Sequence, residues 1–202
     1  LKKRWRHNLV LAEQNDLKIS SGTDDQIFQN LVALQIQAET RIRKRWGCMD
    51  DRGYHAQIQK SLPESMKMMC MLCHNNGESA SGIAVWKAGN TATLILAPTG
   101  NQGLKLRSSY LLQWRMLEWL KSMNVRWYDL SYINPKSNPG LYQFKSGLGG
   151  KLGRELEYVG AYQAGNYPFI RFSVQAIERS RLTFIRLRRT LATGLSHRAE
   201  VS

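Results

Sequence analysis

Cys70-Met71-Leu72-Cys73-His74 has the spacing that attaches a c-type haem through two thioethers and an imidazole. Its surroundings argue for something else. Met68, Met69, Met71 and Leu72 make the segment one apolar run, and on a strand successive side chains alternate faces, so the two thiols would point in opposite directions. A free cysteine buried this way behaves as a small hydrophobe, and core packing is the reading carried forward. No second pair of Cys or His supplies the remaining ligands of a zinc site, so no metal is expected. His7, His55, His74 and His197 stand in unrelated settings and no serine lies in a nucleophile elbow, which gives no support to a covalent hydrolase. The glycines of Gly147-Leu148-Gly149-Gly150-Lys151-Leu152-Gly153 lack the spacing of a dinucleotide fingerprint and read as a structural turn or bulge. Ahead of the clearest helix, Gln102 to Ser109 holds one glycine. A turn that met the pyrophosphate of acyl-CoA with backbone N–H groups would be richer in glycine, so acyl-CoA is disfavoured.

Three basic clusters remain, at 2–6, 41–45 and 179–189, with Trp5, Trp46 and Trp127 nearby. The 202 residues carry 29 Lys and Arg against 15 Asp and Glu, a formal net charge of +14. Such a charge on a folded domain favours a polyanionic partner: nucleic acid, a phosphorylated substrate or an anionic membrane surface. Neither a zinc finger nor an RNA-recognition aromatic pair accompanies the clusters. Hydrophobic residues at 43% and charged residues at 22% exclude wholesale disorder. No apolar run approaches the ~20 residues of a membrane-spanning helix, and the basic opening leads into a polar helix pattern rather than a secretory signal. Three cysteines do not make a disulfide scaffold and fit a reducing compartment. Because the chain opens on Leu1 rather than Met, sequence upstream is expected.

The elements that must position any site can be read from periodicity. Residues 2–16 read as a helix with Trp5, Leu9 and Ala12 near one face, followed by a short strand at Leu17–Ser20. Thr23 or Asp24 can cap a second helix, in which Ile27, Phe28, Leu31, Leu34 and Ile36 recur at near-helical spacing and Arg41 to Trp46 close the pattern. A short helix fits 51–60. Ser65–His74, Ser81–Lys87 and Thr91–Ala97 are apolar runs parted by Asn75-Asn76-Gly77-Glu78 and Ala88-Gly89-Asn90, which predicts an antiparallel meander. Leu106–Met123 follows as a helix, then Val125–Leu130 as a short buried strand ending at Asp129. Tyr132–Gly153, rich in Gly, Pro, Asn and Ser, reads as the loop where a site belongs. A strand at Glu157–Tyr162 and a basic amphipathic helix over Phe172–Leu195, within a carboxy-terminal segment 166–202, complete a single mixed α/β domain over 1–202.

The segment Tyr128-Asp129-Leu130, Ile133-Asn134-Pro135, Asn138-Pro139-Gly140-Leu141-Tyr142, Phe144-Lys145, Gly147 and Gly149-Gly150 resembles the Fem family of aminoacyltransferases, which build peptidoglycan interpeptide bridges. Tyr110-Leu111-Leu112 and Trp114 on the preceding helix, Trp5-Arg6 and Arg43-Lys44 extend the likeness over roughly 2–160. The resemblance implies an acetyltransferase-like (GNAT) fold, a mixed and mostly antiparallel sheet flanked by helices, and makes this chain the second of two subdomains, the first standing upstream. It implies transfer of an aminoacyl group from aminoacyl-tRNA, with no further cofactor, to an amine of a diphosphate-containing, lipid-linked or nucleotide-linked cell-wall precursor. The place would be the cytoplasm, with peripheral contact at the inner face of the membrane. By position, Lys145 matches the family lysine that stabilises the reacting centre, with Phe144 beside it. Arg43 matches an arginine that meets precursor phosphates, and Tyr132, Asn134 and Tyr142 line the substrate. Ser131-Tyr132 stands where the family has Gly-Gly, and Asn134 where Asp is frequent, which narrows any channel beside Asp129. Asp129 either orients the incoming amine or caps the loop.

Acyl transfer passes through a tetrahedral oxyanion, and a fixed cation at that point is worth several kcal/mol in a site shielded from water. Two rival readings stand beside this one: a non-catalytic basic module binding RNA or anionic lipid through 41–45 and 179–189, and a GNAT-fold acyl-CoA-dependent transferase acting on cell-surface polysaccharide.

Overall fold

The computed structural model describes residues 1–46, 52–136 and 138–157, together with 172, 173, 176, 177 and 180. The chain divides into two compact units, Leu1–Arg154 and Glu155–Ser202. In the second unit the described residues Phe172, Ser173, Ala176, Ile177 and Ser180 are helical. The expected strand at Glu157–Tyr162 begins on an irregular Glu157, and the rest of it, like most of the expected Phe172–Leu195 helix, lies outside the described residues.

The first unit runs α1 (Lys3–Glu13), β1 (Lys18–Gly22), α2 (Asp25–Trp46), α3 (Arg52–Ser61), a 3₁₀ turn at Glu64–Met66, β2 (Met69–Asn75), β3 (Glu78–Ala88), β4 (Thr91–Leu96), α4 (Asn101–Lys105), α5 (Ser108–Ser122), β5 (Trp127–Asp129) and α6 (Pro139–Gly149). The five strands lie in one sheet in sequence order. β1 to β4 are antiparallel neighbours, and the turn residues between β2 and β3 and between β3 and β4 predict those two pairings. β5 pairs parallel to β4, because the chain has to cross back through α4 and α5 before it rejoins the sheet.

Alternation along the strands divides the core between the two faces of the sheet. Met71, Cys73, Ile83, Val85, Ala92 and Leu94 pack with Leu112, Met116 and Leu120 of α5. On the other face Cys70, Leu72 and Ala84 pack with Ile27, Phe28, Leu31 and Leu34 of α2. The two thiols of the Cys-x-x-Cys-His run are therefore on opposite sides of the sheet, each fully buried. A third cluster joins Trp5, Leu9 and Ala12 of α1 to Leu111 of α5 and Leu148 of α6.

Three expectations are corrected. The helix read as Leu106–Met123 begins at Ser108, because Arg107 adopts a left-handed φ of 56° and separates it from the short α4. β5 is not a buried strand: Trp127 and Asp129 are exposed and only Tyr128 turns inward. Residues 139–149, read as loop, form α6. Asn138 caps it by accepting the Leu141 N–H at 3.0 Å, and Pro139 supplies a preset φ in the first turn. Glycines and serine lower the propensity of this segment, and packing overrides them. A side chain at Gly147 would press on Trp5, so the glycine is what lets α6 lie against α1.

Candidate active site

The parallel ladder between β4 and β5 ends at the Thr93–Asp129 pair, while β4 continues to Leu96. Beyond Asp129 the chain turns sharply. Ser131 takes a left-handed φ of 61°, an uncommon conformation for a residue other than glycine. Two hydrogen bonds hold it there: its N–H donates to Asp129 Oδ1 at 2.7 Å and its hydroxyl to the Leu94 carbonyl at 2.8 Å. Asp129 thus caps the turn. Its position at the carboxyl end of a parallel strand pair is the general location of ligand sites in α/β sheets.

Tyr132 follows. Its carbonyl accepts a hydrogen bond from Lys145 Nζ at 2.9 Å, and its phenol accepts one from Asn134 Nδ2 at 2.9 Å. Asn134 also takes the Lys136 N–H on its Oδ1, and its carbonyl takes the Asn138 N–H, which leads the loop into α6. Asn134 is therefore a scaffold residue of the loop. The Tyr132 ring stands 68% exposed above it.

Lys145 is the unusual member of the group. Only 8% of it is exposed, on a helix face turned toward the end of β5. Burial pushes its pKa below the ordinary lysine value, and the Asp129 carboxylate opposes that shift. Of the three N–H bonds of its ammonium, one goes to Tyr132, leaving two for another acceptor.

The structure accordingly brings Asp129, Tyr132, Asn134 and Lys145 together at one strand end. It separates Phe144 from that group's chemistry. About 100° back around α6, the Phe144 ring packs against Tyr110 at 4.9 Å and Trp5 at 6.0 Å between centroids. Tyr142 is half-buried on the same helix. Arg43 lies in the last turns of α2, and its side chain falls outside the described residues.

One neighbourhood escaped the sequence reading. Trp127 shares the face of Asp129, two residues away, and is 49% exposed with the guanidinium groups of Arg126 and Arg154 at 5.8 and 5.7 Å from its ring. Trp86 lies on the same face through the Trp86–Thr93–Asp129 register and is also exposed. The period-2 spacing of Trp127 and Asp129 could have signalled this flank, whereas Arg154 had no local signal. On the opposite face, the Tyr128 hydroxyl accepts from Gln113 of α5 at 2.9 Å, which fastens β5 to the core.

No family model and no curated protein matches this chain. Solved structures do. An aminoglycoside acetyltransferase from an uncultured soil metagenomic sample, in complex with sisomicin, superposes with a TM-score of 0.53 at 12% identity, over 74% of this chain and 97% of that one. An acetyltransferase of the GNAT family from Staphylococcus aureus MU50 gives 0.52 at 14% identity, over 64% and 82%. The aminoglycoside 6'-N-acetyltransferase of Acinetobacter baumannii gives 0.50 at 13%, over 74% and 98%. The fold is that of the GNAT acetyltransferases. At such identities the likeness carries the fold alone, and it does not extend to the Fem family that residues 128–150 resemble. Among the described residues no group of His, Cys, Asp and Glu is arranged to hold a metal ion, and no helix is long and apolar enough to cross a membrane.

Proposed function

We propose that this chain is an acyltransferase that moves an acyl group onto an amine, and that the acyl group is an aminoacyl ester carried by tRNA. The observation that carries the reading is the buried Lys145 ammonium at the carboxyl end of β5, in a GNAT-fold sheet. In the reaction the acceptor amine attacks the ester carbonyl carbon, and the carbonyl electron pair moves onto oxygen. Lys145, itself buried, presents its two remaining N–H bonds to that oxyanion, a charge contact that is worth more the less water reaches it. The tetrahedral centre then collapses, the bond to the ester oxygen breaks, and the leaving alkoxide takes up the proton that the amine gives up. Asp129, whose Oδ1 is engaged by Ser131, offers its other oxygen as a station for that proton.

An amine acceptor accords with the aminoglycoside N-acetyltransferases that share the fold. Against acyl-CoA as donor, the glycines before α5 are engaged with β3: the Gly100 N–H donates to the Ala80 carbonyl at 2.9 Å, and Gly103 is packed on the same oxygen. The acceptor in this reading is an amine of a lipid-linked cell-envelope precursor, met at the cytoplasmic face of the membrane.

The test is transfer from charged tRNA and, separately, from acetyl-CoA to an amine acceptor, with the parent chain and with Lys145→Ala. Transfer from charged tRNA that falls about 10²-fold or more in kcat with the alanine variant is the expected result, the size seen when an oxyanion donor is removed. Transfer from acetyl-CoA alone would replace the donor and keep the chemistry. Equal turnover by Lys145→Ala would remove the proposed mechanism.

A further inference from the structure

Alternation along the strands leaves part of one sheet face uncovered. Val85, Ala92 and Leu94 pack toward α5, so Trp86, Thr91 and Thr93 beside them turn to the opposite face. Trp127 joins them: Tyr128, next to it, packs toward α5, and Trp127 pairs with Thr91 in the β4–β5 register. α2 covers this face at Cys70, Leu72 and Ala84. Past Ala84 the cover ends, and Trp86 and Trp127 are both exposed. Trp86 aligns through Thr93 with Asp129, so its Cα is two strands across and two residues along from that of Trp127. At ordinary strand spacing and rise that is about 12 Å. One flat group cannot rest on both rings, and the short side chains of Thr91 and Thr93 form the floor between them.

The second observation is the state of two arginines. The guanidinium groups of Arg126 and Arg154 stand 5.8 and 5.7 Å from the Trp127 ring centroid, within cation–π range. Among the described residues neither guanidinium has a carboxylate or carbonyl partner, so their N–H groups are open to a ligand. Asp129 shares the face, and the Lys145 ammonium counters its charge. An exposed ring that holds two unmatched cations suits a ligand that is flat and anionic at once. A neutral sugar would meet the rings and leave the cations unmatched, and an acidic peptide would do the reverse. A nucleotide supplies both, a base to stack on an indole or a guanidinium plane and a phosphate to accept from the arginines.

We propose that the face of Trp86, Thr91, Thr93 and Trp127 is a stacking platform for single-stranded RNA, with separate bases on the two indoles and Arg126 and Arg154 on the phosphates. The identity of the strand, the unpaired 3′ end of the donor tRNA, rests on the acyl-transfer reading; its binding is a property of the resting protein. The place fits that identity. Trp127 is two residues before Asp129 on the same face, so a strand stacked there brings its end to the carboxyl end of β5, where Lys145 is held.

The test is fluorescence anisotropy of a labelled, uncharged RNA hairpin with the full chain. One hairpin ends in a single-stranded 3′ CCA and the other is blunt. The expected result is saturable binding of the overhang hairpin, at least about tenfold tighter than the blunt one and weakened about tenfold by Trp127→Ala, the size of one lost base stack. Trp127→Phe, which keeps a ring, should recover most of the affinity. Arg154→Ala should lower the slope of log affinity against log salt by about 0.7, the loss of one phosphate contact to a single strand. Lys121→Ala, a change at an exposed lysine on α5, should bind like the parent. Equal affinity for the two hairpins, equal affinity of Trp127→Ala and the parent, or competition by a neutral oligosaccharide or an acidic peptide in place of unlabelled RNA overturns the proposal. Binding is read without any transfer. A chain that binds the overhang as expected but transfers nothing from charged tRNA keeps the platform and loses the acyl-transfer reading. A chain that transfers from charged tRNA while Trp127→Ala binds like the parent keeps the reading and loses the platform.

Discussion

Cys70 and Cys73 show what a single residue's environment decides. Burial raises the Cys70 thiol from 9.0 to about 12, with the Asp24 charge adding to the shift. Burial raises Cys73 from 9.0 to about 11. A thiol reacts as thiolate, so both are held in the unreactive form at neutral pH. In a Cys48→Ser background, native-state labelling of the two thiols should be at least about tenfold slower than labelling in denaturant. The same shifts have a consequence for stability. Above pH 9.0 the unfolded chain loses thiol protons that the folded chain retains, so the folded state's advantage is intact below pH 9.0 and declines as pH rises toward 11 and 12. Urea midpoints should therefore fall more between pH 9 and 11 for the parent than for the Cys70→Ala/Cys73→Ala variant. Rapid native labelling, or matching alkaline profiles, would mean that the thiols are accessible. The placement of this pair on opposite faces was legible from alternation, since i and i+3 on a strand must part, and its burial from the apolar run of Met68, Met69, Met71 and Leu72 around it. Lys145 was legible only as a position in a resembling segment. Its burial depends on α6 and on the carbonyl of Tyr132, neither of which a local pattern reveals.

At the scale of elements, glycine was the main source of misreading, because it has two different uses here. At Gly103 it permits contact. A Cβ there would fall inside the envelope of the Ala80 carbonyl oxygen and close to the Ser108 hydroxyl, so the α4 backbone lies directly on β3. At Gly149, near the end of α6, a Cβ would meet nothing within 4 Å. Sequence shows two glycines and cannot tell them apart. Gly103→Ala should destabilise the fold by about 1–3 kcal/mol, as overpacking does, whereas Gly149→Ala should be neutral or stabilise by up to about 1 kcal/mol through helix propensity. Chemical denaturation of the two variants against the parent checks both signs at once. A harmless Gly103→Ala would mean that α4 can move off the sheet. The meander and α1 were legible for the opposite reason. Their turns carry Asn76-Gly77 and Gly89-Asn90, and Trp5, Leu9 and Ala12 recur at i, i+4 and i+7, so local sequence and tertiary demand agree. α6 was hidden because its glycines satisfy packing against α1 at the expense of propensity.

For the whole molecule, the order of strands and the single parallel junction decide where chemistry can be placed. A purely antiparallel meander would have ended at β4. The crossover through α4 and α5 adds β5 with its carboxyl end beside that of β4, and Asp129, Tyr132 and Lys145 gather there. Among the described residues, the buried members of all three core clusters belong to the first unit: the last of them is Leu148, and the unit ends at Arg154. Hydrophobic burial is the main favourable term in folding, and the first unit carries a core of its own in these clusters. A chain truncated after Arg154 should then retain a cooperative urea transition, with the slope that scales with the surface exposed on unfolding falling in proportion to the residues removed. It should also retain the buried state of Cys70 and Cys73, since the described residues packed around both thiols precede Arg154. A truncated chain with a broad, non-cooperative transition would show that Glu155–Ser202 supplies part of the core, and the division of the chain into two units would not describe its folding.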